Sequence, residues 1–555
     1  MRAHSLEDIY PQLKLVYPGS WDAVAAQLKD TIANAAQPKI LPGQLDQTDI
    51  MLITYGDSVQ QKDYAPLKVL NIFYSQFASE SFSAIHLLPF FPWTTDDGFS
   101  IVNYNQVDPG LGDWNHIERL AQNCDLMFDA VVNHISKSSS WFQKFISGSE
   151  EVSNHFIVAD PSKNYTSVVR PRNLPLLTEF DTSQGKKHIW TTFSDDQIDL
   201  NFAEPKVLIA IIDILIEYAS FGSRFIRLDA IGFIWKELGT SCMHLPETHA
   251  LIQVMRKVLD IVVPGTLLIT ETNVPHLENL SYFGDGTNEA SLIYQFPLPP
   301  LVLHTLLTGD SSVITKWANQ LDAPPGESTF FNFLSSHDGI GMRPATGLLG
   351  KEDIARLQKH THVQNGYVSF KDNGDGTQSP YELNINFFDA ISDSALNDAT
   401  NQRRMFAAHA ILLALQGLPA VYIHSFLGSH GDKNAVKDSG IFRRINRAKL
   451  DFVRLSEQLI DPETERYAIY TRISDMAKAR REEVLFSPKV AQRVLSWSKK
   501  LMVIERYTEQ RRVLCVTNIS NEMVSLPKPI EGFDLLSKQN LLLTAVTPYQ
   551  IVWLV

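Results

Sequence analysis

A chain of 555 residues with 44% hydrophobic and 20% charged content has the make-up of a globular protein too long for one compact core, so a large domain with smaller additions is expected. Its formal charge of −13 excludes a nucleic-acid or other general polyanion binder, which needs a basic face, but allows a small anion held by a few arginines. Three scattered cysteines (Cys124, Cys242, Cys515) fit neither a disulfide framework nor a zinc cluster, the opening residues lack a signal-peptide core, and no apolar run reaches bilayer length, so a cytoplasmic protein without membrane contact is expected.

Residues 1 to about 48 carry amphipathic helical patterns (Ser5–Leu15, Ser20–Ala35) broken by Pro and Gly, a helical lead-in. Short apolar runs of buried-strand type then recur between helical stretches such as Leu67–Ala78. They are Ile50–Tyr55, Ser83–Phe90, Leu126–Asn133, Arg224–Leu228, Thr266–Thr272, Ala290–Phe296, Ser328–Leu334 and Pro419–Ile423. Eight such strands are the number a (β/α)8 TIM barrel needs, and the Gly-rich phosphate turn of a doubly wound sheet is missing after the first. The fold class expected is therefore α/β, a TIM barrel with two inserted subdomains and a small C-terminal all-β domain.

The domain limits follow from the gaps. Residues 1–134 hold the lead-in and the first part of the barrel, 135–200 an insertion after strand three, and 201–338 more of the barrel. Residues 339–397 form an insertion after strand seven, 398–484 close the barrel, and 485–555 are the C-terminal β domain. The second insertion contains the turn-forming run Lys371-Asp-Asn-Gly-Asp-Gly376. Short β-type runs at Val494–Trp497, Leu501–Ile504, Arg512–Thr517 and Gln550–Val555 mark the final domain. Loops at the carboxyl ends of barrel strands carry function, so both insertions are candidates for specificity.

Several strands end in polar residues that an inert core does not need: Asp129-Ala-Val-Val-Asn-His134, Arg227-Leu-Asp229, Glu271 and Ser336-His337-Asp338. Each alone has an ordinary reading. Arg227 and Asp229 could be a simple ion pair, His134 a satisfied core histidine, Glu271 half of a buried pair. Together at one barrel mouth they suit glycoside chemistry, in which one carboxylate attacks the anomeric carbon and a carboxylic acid protonates the leaving oxygen. Arg227 favours an ionised Asp229, and neighbouring strand ends supply the roughly 5 Å separation of a retaining pair.

These four motifs resemble the signature regions of the α-amylase superfamily, glycoside hydrolase family 13, along the whole barrel. The resemblance implies Asp229 as nucleophile, Glu271 as general acid/base and Asp338 as the stabiliser that binds sugar hydroxyls, with His134, His337 and Arg227 in the same subsite. His86-Leu-Leu-Pro-Phe-Phe91, Asp96-Asp-Gly-Phe99, Ile231–Ser241 and Phe296-Pro-Leu-Pro-Pro300 are similar to the sucrose phosphorylase branch. That branch implies a glucose site closed by Asp96 and Arg443, with Phe193 and Gln197 nearby; without it, Phe193 reads as packing and Gln197 as solvated surface.

By the same resemblance the expected reaction is a double displacement from an α-glucoside such as sucrose to inorganic phosphate, giving α-glucose 1-phosphate and fructose, with Arg172 binding phosphate. Arg343-Pro-Ala-Thr-Gly347 and Ser379–Asn384 look more like relatives acting on sucrose 6'-phosphate, glucosylglycerol or glucosylglycerate, so Arg343 could meet an acidic acceptor or simply pin its loop. An α-glucosidase using the same carboxylates and a non-catalytic barrel used for binding are the other readings. No cofactor or metal is expected for the chemistry, structural calcium is left open, and a homodimer is allowed.

Overall fold

The computed structural model describes residues 5–35, 41–172, 174–372 and 376–555. Eight parallel strands close into a barrel in simple sequential order: β1 (Met51–Thr54), β2 (Ala84–Leu87), β3 (Asp125–Ala130), β4 (Ser223–Leu228), β5 (Leu267–Thr270), β6 (Leu292–Tyr294), β7 (Thr329–Phe333) and β8 (Leu418–Tyr422). Each lies within an apolar run expected from the sequence or overlaps one by most of its length. Helices cover the outer face and side chains fill the interior, so these strands are buried on both sides and read as nearly continuous hydrophobic runs. Helix Pro205–Ser220, with Pro at its first turn, leads to Gly222 at φ 99°, where an added Cβ would stand 2.9 Å from the Ala121 Cβ. That turn launches β4.

The lead-in helices are Leu6–Ile9, a single 3-10 turn, then Tyr10–Val16 and Trp21–Asn34. Pro11 lies at the start of the second, where its missing N–H is tolerated.

The two long gaps hold structure of their own. After β3, strand His134–Ser136 pairs antiparallel with Gln197–Asp199, so both ends of the segment return to the barrel mouth; between them lie helix Ser140–Ile146 and hairpin Leu177–Thr182/Gly185–Trp190. After β7, Ile340–Gly341, Tyr367–Asp372 and Gln378–Asn384 form a three-stranded sheet beside helix Lys351–Val363. Part of the expected turn Lys371–Gly376, residues 373–375, lies outside the described residues.

The C-terminal sheet has six strands, β9 (Ala491–Val494), β10 (Leu501–Tyr507), β11 (Arg512–Asn518), β12 (Val524–Asp534), β13 (Gln539–Val546) and β14 (Ile551–Leu554), in the order β9-β10-β11-β14-β12-β13. Two corrections arise here. The strand expected at Val494–Trp497 ends where it was to begin, and β12 and β13 were not expected at all. β12 contains Pro527 and Pro529, which argue against a strand, but a register shift between Ser525 and Ile530 accommodates them. Among the described residues no helix is long and apolar enough to cross a membrane.

Candidate active site

The carboxyl ends of the barrel strands open into one cavity, and its floor is a buried charge network. Asp129 and Arg227 are register partners on β3 and β4, which points both side chains into the barrel. The Arg227 guanidinium donates to Asp129 and, at 2.6 Å, to Asp229, while its Nε donates to the Tyr294 hydroxyl at 3.1 Å. His86 from β2 meets the other Asp129 oxygen at 2.7 Å. Burial alone would push the Asp129 carboxyl up, but Arg227 and His86 outweigh it and hold it below the usual carboxylate range.

Asp229 and Glu271 follow directly from paired strands. Leu228 is the partner of Thr270, the Asp229 N–H donates to the Ala130 carbonyl and the Glu271 N–H to the Leu228 carbonyl, each at 3.1 Å. Adjacent strands lie about 4.8 Å apart, so the register places the two residues at neighbouring strand ends, where a retaining pair would have to sit. Ala230 then turns in the left-handed region (φ 49°, ψ 29°) and aims its N–H at Glu271 Oε2, 3.0 Å away.

The two carboxyls are unequal. Burial first, then Asp229 and Asp338, lift Glu271 to about 7 against the pull of Arg227. Burial also raises Asp229, with Asp129 adding to it and Arg227 opposing, so the guanidinium does not by itself keep this carboxyl in its ordinary range as the sequence suggests. Asp229 nevertheless carries a direct charged hydrogen bond that Glu271 does not, so it ionises first when the pair shares one proton. An ionised Asp229 beside a protonated Glu271 is the state that nucleophilic and acid catalysis need.

The opposite wall is supplied by the β7 and β8 loops. Asp338 takes Arg443 Nη1 at 2.8 Å, and Arg443 Nε donates to Glu382 at 3.0 Å. Glu382 also accepts the Gly339 N–H, because its strand pairs Gly341 with Glu382. Burial opposes ionisation of Asp338, but Arg443, His337 and Arg447 together hold it at about 2. His337 stacks on Phe99 with centroids 4.7 Å apart, and burial drives its imidazole down to about 3, so it is neutral.

The remaining sequence candidates are distributed as follows. Asp96, His134, Phe193, Gln197, Arg172 and Arg443 all line the same cavity as Arg227, Asp229, Glu271, His337 and Asp338. Gln197 is only 1% exposed, and its amide donates to Phe99 O and meets His134 Nε2, both at 3.1 Å, so it is not solvated surface. Asp96 and Arg443 face one cavity but are not paired with each other: Asp96 is bonded by Arg172 Nη2 at 2.7 Å, with the Arg172 guanidinium over the Phe193 ring.

Arg343 stands apart from that cavity, in an adjoining outer pocket with Arg170 and Lys371; Phe193, Glu271, Asn273 and Tyr381 belong to both walls. Burial and then Arg343 depress the Lys371 ammonium. Among the described side chains none of these three cations has an acidic partner.

His86, Tyr294, Glu382, Tyr381, Arg170 and Lys371 were not among the sequence candidates. Tyr294 ends β6, so the strand-end rule that found Glu271 could have found it. Among the described residues no group of three or more His, Cys, Asp and Glu is arranged to hold a metal ion.

Comparison with known proteins agrees with this architecture. The family description "Alpha amylase, catalytic domain" matches residues 80–357. The chain is 43% identical over 553 residues to a glucosylglycerate phosphorylase of Allomeiothermus silvanus, covering 99% of this chain and 98% of that one. It is 29% identical to a sucrose phosphorylase of Agrobacterium vitis over 80% of this chain and 89% of the relative. The crystal structure of the sucrose 6F-phosphate phosphorylase from Thermoanaerobacter thermosaccharolyticum superposes with a TM-score of 0.76 at 22% identity, over 91% of this chain and 99% of that one. With the catalytic-domain match, the near full-length relative and the closed barrel agreeing, the chain belongs to the α-amylase family, glycoside hydrolase family 13.

Proposed function

We propose that the chain is a retaining α-glucosyl phosphorylase whose donor is glucosylglycerate, converting it with inorganic phosphate to α-glucose 1-phosphate and glycerate. One observation carries the choice of glycerate over the fructose that the branch resemblance first suggests: 43% identity along 99% of the chain to a glucosylglycerate phosphorylase, against 29% along 80% to a sucrose phosphorylase. The outer pocket supports it, since Arg170, Arg343 and Lys371 beside Glu271 suit an acceptor bearing a carboxylate.

In the first displacement an Asp229 oxygen bonds to the anomeric carbon as the glycosidic C–O bond breaks, and Glu271 gives its proton to the departing glycerate oxygen. Glu271 is then a carboxylate. In the second, it takes the proton of the attacking phosphate hydroxyl, the phosphate oxygen bonds to the anomeric carbon, and the Asp229 ester bond breaks. Two inversions give net retention.

In this reading Asp338 binds ring hydroxyls, and Asp96, His134, Phe193, Gln197, Arg227, His337 and Arg443 shape the glucose site. Arg172 and Arg343 meet the anionic partner, phosphate or glycerate. The floor network Asp129–Arg227–Asp229 is preorganised to receive positive charge developing at the anomeric carbon.

The test is incubation with glucosylglycerate, sucrose, sucrose 6'-phosphate and glucosylglycerol, each with and without phosphate. Glucose 1-phosphate formed from glucosylglycerate only when phosphate is present supports the reading. Equal free glucose in both tubes and no glucose 1-phosphate refutes it in favour of a hydrolase.

A further inference from the structure

Behind the glucose site lies an unusual backbone. Asp96, Asp97 and Gly98 follow one another at φ 56°, 47° and 113°, three left-handed residues in a row, two of them with a Cβ. Gly98 tolerates this for lack of a side chain, and a Cβ there would stand 2.9 Å from Pro89. Such a turn persists only where its surroundings impose it.

Asp96 enters the cavity, but Asp97 is not among the cavity-lining residues. Its carboxylate faces the other way, into a charge cluster. Arg444 grips both oxygens, Nη2 to Oδ1 at 2.6 Å and Nε to Oδ2 at 3.1 Å, and Arg447 Nη1 reaches Oδ2 at 2.7 Å. Arg447 in turn donates to the His337 carbonyl at 3.0 Å, and its Nη2 stands 3.5 Å from Asp338. Both arginines come from the 3-10 segment Phe442–Asn446 and its cap, the same segment that carries Arg443 into the cavity.

We infer that Asp97 is a positioning residue: its pairing with Arg444 and Arg447 holds the left-handed turn that presents Asp96, and locks that turn to the loop presenting Arg443. Asp97 touches no substrate, yet it ties two facing walls of the glucose site together. This rests on the reading of Asp96 as part of the glucose site given above.

The experiment compares Asp97→Asn, Arg444→Gln and Asp96→Asn by steady-state kinetics with glucosylglycerate and phosphate, by inhibition with free glucose, and by Tm. Asparagine tolerates the left-handed region as well as aspartate does, so Asp97→Asn removes the charge pairing and keeps the backbone preference. The expected result is about a tenfold rise in donor KM and in the glucose inhibition constant, with kcat changed less than about threefold. Arg444→Gln, which leaves Arg447 in place, should give a smaller rise of the same kind and serves if Asp97→Asn does not fold. If Asp96→Asn raises donor KM while neither Asp97→Asn nor Arg444→Gln does, the positioning role is overturned. If Asp96→Asn itself leaves KM and glucose inhibition unchanged, the glucose-site reading fails and the inference with it.

Discussion

Replacing Glu271 by Gln should stabilise the protein, and should do so more at high pH than at low. The carboxyl is lifted from 4.5 to about 7 by burial and by Asp229 and Asp338. Its proton is bound more tightly in the folded chain than in the unfolded one, so stability falls as pH rises from about 4.5 through 7, and the full penalty applies above that. At 1.36 kcal/mol per pK unit, Glu271 costs up to about 3 kcal/mol at pH 8, where it is ionised in the folded chain, and about 1 kcal/mol at pH 5, where the folded chain holds it protonated.

Glutamine removes this penalty and keeps an oxygen for the Ala230 N–H. In a chain of 555 residues, 3 kcal/mol corresponds to a shift of about 2–3 °C. Scanning calorimetry of wild type and Glu271→Gln at pH 5 and pH 8 reads it directly, alongside a donor-cleavage assay in which the variant should be nearly inactive. A stability difference independent of pH, or larger at pH 5, would mean that folding does not raise the proton affinity of this carboxyl.

Asp129→Asn strips one of the two carboxylates from the fully buried Arg227 and weakens the bond to His86; chemical denaturation should register a loss of about 3 kcal/mol. Arg343→Met and Lys371→Met each take one cation from the outer pocket, and each should raise KM for glucosylglycerate about tenfold while glucose inhibition stays within about twofold, since the inner cavity is untouched. Unchanged KM in both variants would remove the outer pocket from the acceptor site.

The barrel was readable because strands buried on both faces leave uninterrupted apolar runs, and because polar residues at their carboxyl ends stand out against those runs. Asp129, Arg227, Asp229, Glu271 and Asp338 were found in that way. Tyr294 escaped because its ring belongs to the hydrophobic pattern of Ala290–Phe296, and only its hydroxyl, on Arg227, belongs to the site. Residue pattern alone makes Gln197 surface, and only the branch resemblance put it near the site; the antiparallel pairing of His134–Ser136 with Gln197–Asp199 brings it against His134.

Glu382, Arg170 and Lys371 could not be found by any rule about strand ends. Their positions depend on how the two insertions fold back: the register Gly341↔Glu382 sets one, and the return of the first insertion toward Glu271 sets Arg170. The pairing of Arg172 with Asp96 is likewise a long-range contact, across 76 residues, that local patterning does not encode. In the final domain, Pro527 and Pro529 hid β12 because the register shift that accommodates them is set by its partner β13.

An α-glucosyl transfer to an acidic three-carbon acceptor should run in reverse as well as forward. With α-glucose 1-phosphate as donor, glycerate and glycerol are compared as acceptors; they differ in one carboxylate. Glycerate should be preferred by about a hundredfold in kcat/KM, the equivalent of about 3 kcal/mol from charged hydrogen bonds in the outer pocket. Equal use of glycerol, or a preference for fructose over both, would rule out an acceptor chosen by its carboxylate.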